Sequence, residues 1–593
     1  MLTEQLKRVM SVNNDVSNDS PTSKQDCSDV VNISVFFDGT GNNKKDDEKN
    51  QKWSNPARLW RNANERSLSE RKDTKGNVTL NHAIYVSGVG TRFNGELGIF
   101  QKTLAWMEDN LALGAGAGLG GTRRLDYGEE QFNDHLKKIL ELKVNDAEKD
   151  LSQYATAGKA SSETELNQCL SDHRIIKKIN ISVFGFSRGA ALARAFTNQM
   201  LWKCKSTCDG LTYGDKQSPI EFKFLGVFDT VASFGLPSTN LLNNLTFTGR
   251  DMVVDERVKM CVHYVAGNEQ RFAFPVDLIC KKEDGTLANQ NWKEVVYPGM
   301  HSDVVGGYMP LDEETQITDH FARIPLRDML NEAVQAGVKM YSYEELEKDQ
   351  IKLFKQQFEV LPQVETLYQS VVSDMQSQEA IALQLIQAKN PDQAMEHREQ
   401  IKAKMMAAMK TYYSAYGTIQ RSGETIATEQ GRQGLLQKTT DYTVTALGPA
   451  SMAEEVRRLR ASQNFTASNT NGGTNIFRVL SPVSKLYEYL ISIDGWELES
   501  WDRDTTQPVA DFYQKYVHDS KYGFLFNAEP FSYFYQRTIF EPRRSRKGQE
   551  VDQQLSEQTA MCSKDPEQQQ QQLSNAYEQA KQEQQQTMLD AAS

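Results

Sequence analysis

The sequence predicts an α/β fold, a mostly parallel sheet flanked by helices, with a helical insertion and an aromatic-rich C-terminal region after it. Short β-branched and aromatic runs alternate with helical and loop segments through roughly the first 340 residues. These runs end in Gly, Asp, Ser or His, and beyond about residue 340 the composition turns to Glu, Gln, Lys, Ala and Met. Apolar strands alternating with helices form parallel sheets covered on both faces, and reactive groups gather at the carboxyl ends of such strands.

The first strand is Val31 to Phe37, feeding the turn Asp38-Gly39-Thr40-Gly41-Asn42-Asn43. Ala83 to Val86 repeats that grammar before Ser87-Gly88-Val89-Gly90-Thr91. Gln131 to Asp150 reads as a helix, Ile179 to Phe184 as a third strand and Ala190 to Met200 as a helix rich in small residues. Further strands fall at Phe222 to Phe228, Lys259 to Val265 and Glu294 to Tyr297, the last running into Pro298-Gly299-Met300-His301. Tyr343 to Tyr416 carries helical spacing broken near Pro391 and predicts two or more amphipathic helices. Aromatics then crowd Val479 to Arg543, as ordinary core or as a platform at a bilayer interface, where Tyr and Trp are favoured. Gln549 to Ser593, with an unbroken Gln568 to Gln572, predicts a solvated helix or a disordered tail. The domain reading is a polar segment over 1–29, a catalytic domain over 30–340 and a helical region over 341–450. An aromatic-rich region packing on the catalytic domain covers 451–548, and a Gln-rich tail covers 549–593.

With 593 residues and a net charge of −12, the chain has a globular composition and no Lys/Arg-dense stripe. Nucleic-acid binding is therefore disfavoured, because phosphate neutralisation needs clustered cations. Met1 to Asp29 is polar with no apolar segment of the secretory type, and no run of about 18 apolar residues predicts a spanning helix. Cys204 and Cys208 would close a small loop in an oxidising compartment or remain free thiols. The run Gly116 to Gly121 fits the dinucleotide fingerprint formally, but no strand precedes it. Asp38 and Asp303 lack a metal-ligand spacing, and no metal or cofactor is expected.

Chemistry concentrates at Gly185-Phe186-Ser187-Arg188-Gly189. A G-x-S-x-G pentapeptide between a strand and a helix places its serine on a strained turn, with glycines where the backbones approach. This is the nucleophile position of an α/β-hydrolase-like fold, in which an acid and then a histidine follow in chain order. Asp229, ending a strand, is the candidate acid. His301, in a glycine-punctuated loop after a strand, is the candidate base, with His518 the alternative. Gly39, Thr40 and Arg188 are the candidate oxyanion hole, through backbone N–H groups.

Five ordered stretches carry a resemblance: Val35 to Asn43, Ser87 to Thr91, Gly185 to Ala191, Gly226 to Val231 and Pro298 to Tyr308. Together they resemble the catalytic domain of the type VI secretion lipase effectors of the first family, over about Val31 to Arg327. His263, Glu269, Arg271 and Phe274 fit it too, and His518-Asp519-Ser520 resembles a motif of the longer members. Val305 stands where the family usually has another Gly. The resemblance implies an antibacterial phospholipase of A1 or A2 type that hydrolyses acyl esters of membrane glycerophospholipids with Ser187, Asp229 and His301. It implies carriage on the spike protein of the secretion machine and a cognate immunity protein. It also implies export by a signal-peptide-independent route and action at the periplasm and membrane of the target cell. A soluble carboxylesterase of the same fold and a non-enzymatic toxin or interaction protein on a hydrolase scaffold remain the alternatives.

Overall fold

The computed structural model describes residues 30–73, 80–89, 91, 121–139, 178–207, 210–213, 218–232, 251–271, 274–311, 316–389, 391, 395–422, most of 452–460, 495–520, 533–542 and 544–562. Its strands begin and end where apolar runs meet turns. They are β1 (Val30–Phe37), β2 (Asn81–Val86), β3 (Lys178–Phe186), β6 (Ser218–Phe228), β7 (Cys261–Ala266) and β9 (Lys293–Tyr297), and they pair in parallel in the order β2–β1–β3–β6–β7–β9. Each predicted strand is present, extended by a few residues or shifted by two. A short hairpin, β4 (Cys204–Thr207) and β5 (Gly210–Tyr213), adds antiparallel strands beside the start of β6 and completes an eight-stranded sheet. Two further short strands, β8 (Val276–Asp277) and β10 (Ile539–Phe540), pair with each other.

Both faces of the sheet are buried, as the near-continuous apolar strands require. On one face Val31, Ile33, Val35 and Phe37 pack with Ile181, Val183 and Val227 against the helix α3 (Arg188–Leu201) and a helix over residues 121–139. That second helix starts ten residues before the predicted Gln131, and the predicted stretch from residue 140 onward lies outside the described residues. On the other face Phe36, Phe184, Phe224 and Phe228 pack against α1 (Asn55–Asp73) and α5 (Arg323–Gln335).

The same apolar cluster continues into the second half of the chain. The long helices α6 (Pro362–Lys389) and α7 (His397–Ser422) flank the break near Pro391. Tyr412, Tyr413 and Tyr416 of α7 are fully buried beside Trp496 and Trp501 of α8 (Trp496–Asp502) and Phe512 and Tyr513 of α9 (Gln507–Tyr516). These aromatics are core rather than an interfacial platform. Tyr487, Tyr489, Phe524, Phe526 and Phe531 lie outside the described residues. The start of the Gln-rich stretch is neither free nor disordered. It forms a helix, α10 (Arg546–Cys562), with Leu555 buried and Asp552 paired to Arg544 and Arg257. Residues 563–593 lie outside the described set, as do residues 116–120 of the glycine run and Cys208; Cys204 is a free, buried thiol. Among the described residues no helix is long and apolar enough to cross a membrane.

Candidate active site

Ser187 sits between β3 and α3 with φ 57 and ψ −124, a left-handed backbone that a serine rarely adopts. Holding it there costs roughly 1–3 kcal/mol, so the surroundings must enforce it. They do so through close approach. A Cβ on Gly185 would lie 2.4 Å from the Gly189 carbonyl oxygen, and one on Gly189 would lie 2.3 Å from the Asp38 carbonyl oxygen. Only glycine lets strand, turn and helix meet so tightly. The turn is also stitched to the end of β6: the Ser187 N–H donates to the Phe228 carbonyl at 3.0 Å and the Val231 N–H donates to the Ser187 carbonyl at 3.3 Å. These two bonds bracket Asp229.

Asp229 is the residue after β6 and also has positive φ, 43. One of its carboxylate oxygens accepts from His301 Nδ1. The Ala266 N–H donates to the other at 2.9 Å. Arg537 closes a bidentate clamp on both, at 2.7 and 2.8 Å, with all of these groups buried. Burial alone would raise the Asp229 pKa, but the guanidinium and the imidazole outweigh it and hold the carboxyl well below its ordinary range. His301 opens the short helix α4 (His301–Val305). Burial pushes its pKa below the usual 6.5 against the opposing pull of Asp229, so the ring is neutral at neutral pH. With Nδ1 on the carboxylate, Nε2 is the free basic nitrogen, and it has no hydrogen-bond partner among the described residues. The rings of Phe186 and Phe274 lie 5.0 Å from the imidazole and wall it from water. Hydrogen bonds of catalytic groups commonly tighten only with substrate in place.

The predicted oxyanion residues divide. The Gly39 N–H is already committed to Asp38 Oδ1 at 2.8 Å, and a Cβ on Gly39 would strike the Phe186 ring at 2.3 Å. Gly39 therefore provides clearance rather than a donor. Thr40, next in the loop, has a buried hydroxyl with no partner among the described residues. Arg188 is the first residue of α3, where helical N–H groups have no carbonyl a turn below. Its guanidinium is held down to about 10 by burial and by the nearby Arg124. Asp38 is bound by Ser54 and by Tyr85, each at 2.5 Å, and its pKa is raised by burial. Asp303 belongs to a different set, and no group of His, Cys, Asp or Glu suited to a metal gathers among the described residues.

His518 is not beside Asp229. Its Nδ1 bonds Asp303 at 2.7 Å and its ring stacks on Tyr308 at 3.7 Å. The segment is nonetheless tied to His301: Ser520 donates to Glu269 at 3.4 Å, and the His301 N–H donates to the same carboxylate at 3.2 Å. Burial would raise Glu269, but Arg271 outweighs it and brings the carboxyl to about 2. Behind the site His263 bonds Glu294 at 2.7 Å and accepts the Thr230 N–H at 3.1 Å, fixing the turn just after Asp229. The sequence reading singled out Glu269 and Arg271 only through resemblance, and it missed Arg537 altogether. No local pattern marks Arg537, whose partner is 308 positions away.

Residues 197–332 match the family model described as the catalytic domain of the Tle1-like type VI secretion phospholipase effectors, a stretch holding Asp229 and His301 and beginning ten residues after Ser187. Among solved structures the chain is similar to an uncharacterized protein from Pseudomonas aeruginosa, at 18% identity and TM-score 0.46, over 91% of this chain and 82% of that one. It is also similar to a Tle1 effector solved bound to the VgrG spike of the type VI secretion system, at 18% identity and TM-score 0.33, over 60% of this chain and 82% of that one. No curated relative matches the chain. The resemblance carried by the motifs is thus met by the family model, and the chain carries in residues 197–332 a match to the catalytic domain of the Tle1-like phospholipase effectors.

Proposed function

We propose that the chain is a serine phospholipase of A1 or A2 type, on an α/β-hydrolase-like domain, delivered by type VI secretion against rival bacteria. The observation that carries this is the strained Ser187 turn stitched to both sides of Asp229, whose carboxylate holds His301. The strand order supports it. The order in which parallel strands are added reverses between β1 and β3, with β2 on one side of β1 and β3 on the other, and the crevice at the carboxyl ends of strands at such a switch is where open α/β sheets bind ligands. Thr40 follows β1 and Ser187 follows β3, so both stand at that crevice.

In the proposed reaction His301 Nε2 takes the Ser187 hydroxyl proton while Asp229 fixes the ring and stabilises the imidazolium. Ser187 Oγ attacks the acyl carbonyl, and the N–H groups of Arg188 and Thr40 receive the developing oxyanion. His301 then protonates the departing glycerol oxygen, and water, activated by the same ring, releases the fatty acid. His301 is preferred to His518 as base because its carboxylate partner, Asp229, is the residue bracketed by the Ser187 turn. Transport on the spike protein, neutralisation by an immunity protein and action at the target periplasm and membrane are part of the same proposal, which the family match supports only as a type VI secretion effector. The domain reading is kept as proposed, with 451–548 supplying Arg537 to the catalytic domain.

The test is product release from phospholipid vesicles by the purified full chain. Free fatty acid and lysophospholipid are expected, lost at least a thousandfold in Ser187→Ala. Turnover of soluble short esters alone would replace this reading by a carboxylesterase, and toxicity retained by Ser187→Ala would replace it by a non-enzymatic toxin.

A further inference from the structure

The arginines around the Ser187 turn have identifiable partners, with one exception. Arg537 is clamped on Asp229 and Arg271 on Glu269. Arg194, further along α3 and fully buried, donates to the carbonyls of Met252, Asp277 and Leu278. Arg124 donates to the carbonyls of Ser87 at 2.8 Å and Gly88 at 2.7 Å, in the loop after β2. The exception is Arg188, the residue after Ser187, whose side chain makes no hydrogen bond or ion pair among the described residues. It is half-buried, and none of its nitrogens is sealed from solvent. The neighbouring charge that acts on it is no carboxylate but the guanidinium of Arg124. Burial, then Arg124, lowers its pKa to about 10, which leaves it protonated at neutral pH. Arg124 also locates the pair. Gly88 packs against the Gly39 carbonyl and its N–H donates to Asn42 at 3.0 Å, so Arg124 stands beside the loop that carries Thr40. Arg188 therefore holds its charge on the Thr40 side of Ser187, at the rim of the crevice.

We infer that the Arg188 side chain is the phosphate subsite of the crevice, pairing with the phosphodiester anion of a glycerophospholipid whose acyl ester lies at Ser187. The inference rests on the proposed reaction and adds to it the group that selects phospholipid over neutral lipid. A cation drawn out of water without a counter-ion is costly, and an entering anion relieves that cost. A guanidinium meets two phosphate oxygens with two parallel N–H donors, a fit that an ammonium lacks. In the lipid only the glycerol backbone separates ester from phosphate, so two adjacent residues of the turn hold the two groups. Diacylglycerol carries a hydroxyl in place of the phosphate and leaves the charge unpaired, and a site built around a polar partner rejects the analogue that lacks it. The Arg188 backbone N–H and its side chain thus serve different parts of one substrate.

Dihexanoyl phosphatidylglycerol and dihexanoylglycerol, each below its micelle concentration, test this with the full chain. The ratio of kcat/KM for the phospholipid to that for the diacylglycerol should fall about tenfold or more in Arg188→Met, the worth of one hydrogen bond to a charged group. Arg188→Lys, which retains the charge, should keep part of the ratio. Both substrates use the same Ser187, so a disturbed turn cancels in the ratio, and a ratio unchanged in Arg188→Met would overturn the subsite. Calorimetry on Ser187→Ala reads binding without hydrolysis. The phospholipid should bind about tenfold tighter than the diacylglycerol or better, and adding Arg188→Met should remove the difference. Equal binding of the two lipids would overturn the subsite, as would displacement of the phospholipid by an equal concentration of inorganic phosphate, which would mark a site for free phosphate. A wild-type chain that turns over neither lipid would defeat the phospholipase reading instead, and the binding comparison would still decide the subsite.

Discussion

The Asp229 carboxylate is shared between an imidazole and a guanidinium, and this sharing decides how the site responds to change. Replacing Asp229 by Asn leaves Arg537 buried and uncompensated, a situation that costs about 3–5 kcal/mol. Urea unfolding should therefore show Asp229→Asn strongly destabilised, and Asp229→Asn with Arg537→Met should recover most of that loss while remaining inactive. If the double variant is no more stable than the single one, the clamp is not the source of the instability. The pH dependence follows from His301. Its folded pKa lies below 6.5 and the proposed reaction needs the neutral ring as base, so activity is expected to fall as pH drops through that lowered value. The acid limb of kcat/KM should have its midpoint below about 6.5; a midpoint above 7 would contradict a base desolvated in this way.

Strands and turns show which parts of the structure the sequence makes legible. β1, β3 and β6 were readable because β-branched and aromatic residues alternate with polar ones at first and then run unbroken by polar residues at the carboxyl end, where both faces are buried, up to Gly or Asp. The Ser187 turn was readable because close approach demands glycine at two fixed offsets. Either Gly185→Ala or Gly189→Ala would set a methyl against backbone oxygen, closer than real Cβ contacts allow. Each should lose about 1–3 kcal/mol of stability in denaturant unfolding, and activity with it, since the turn must shift. Unchanged melting and turnover in both would show that the turn is not packed as described. The β4–β5 hairpin was not readable, because four-residue polar strands such as Cys204–Thr207 carry no periodicity. Arg537 was not readable either: an Arg beyond an aromatic run has no local signature of a carboxylate 308 positions away. The Gly39 donor failed for a related reason, since only the fold shows that Asp38 already takes its N–H.

Across the whole molecule, one apolar cluster joins the sheet to helices drawn from residues 323–534. Trp496, Trp501, Phe512, Tyr513, Tyr516, Tyr533 and Phe534 are therefore part of the same core as the strands, and Arg537 reaches the site from that side. A chain ending at residue 450 keeps Ser187, Asp229 and His301 but loses both the clamp and the cover over Tyr412, Tyr413 and Tyr416. It should be inactive and prone to aggregation, whereas activity equal to the full chain would show that the first half is self-sufficient. All of these effects converge on the ester bond that Ser187 is proposed to attack. Mass spectrometry of vesicles whose lipids carry different sn-1 and sn-2 chains, treated with the full chain or with Ser187→Ala, reads that event. The expected result is lysophospholipid and free fatty acid from the wild-type protein and neither from the variant; intact lipid in both samples, or equal products in both, would contradict it.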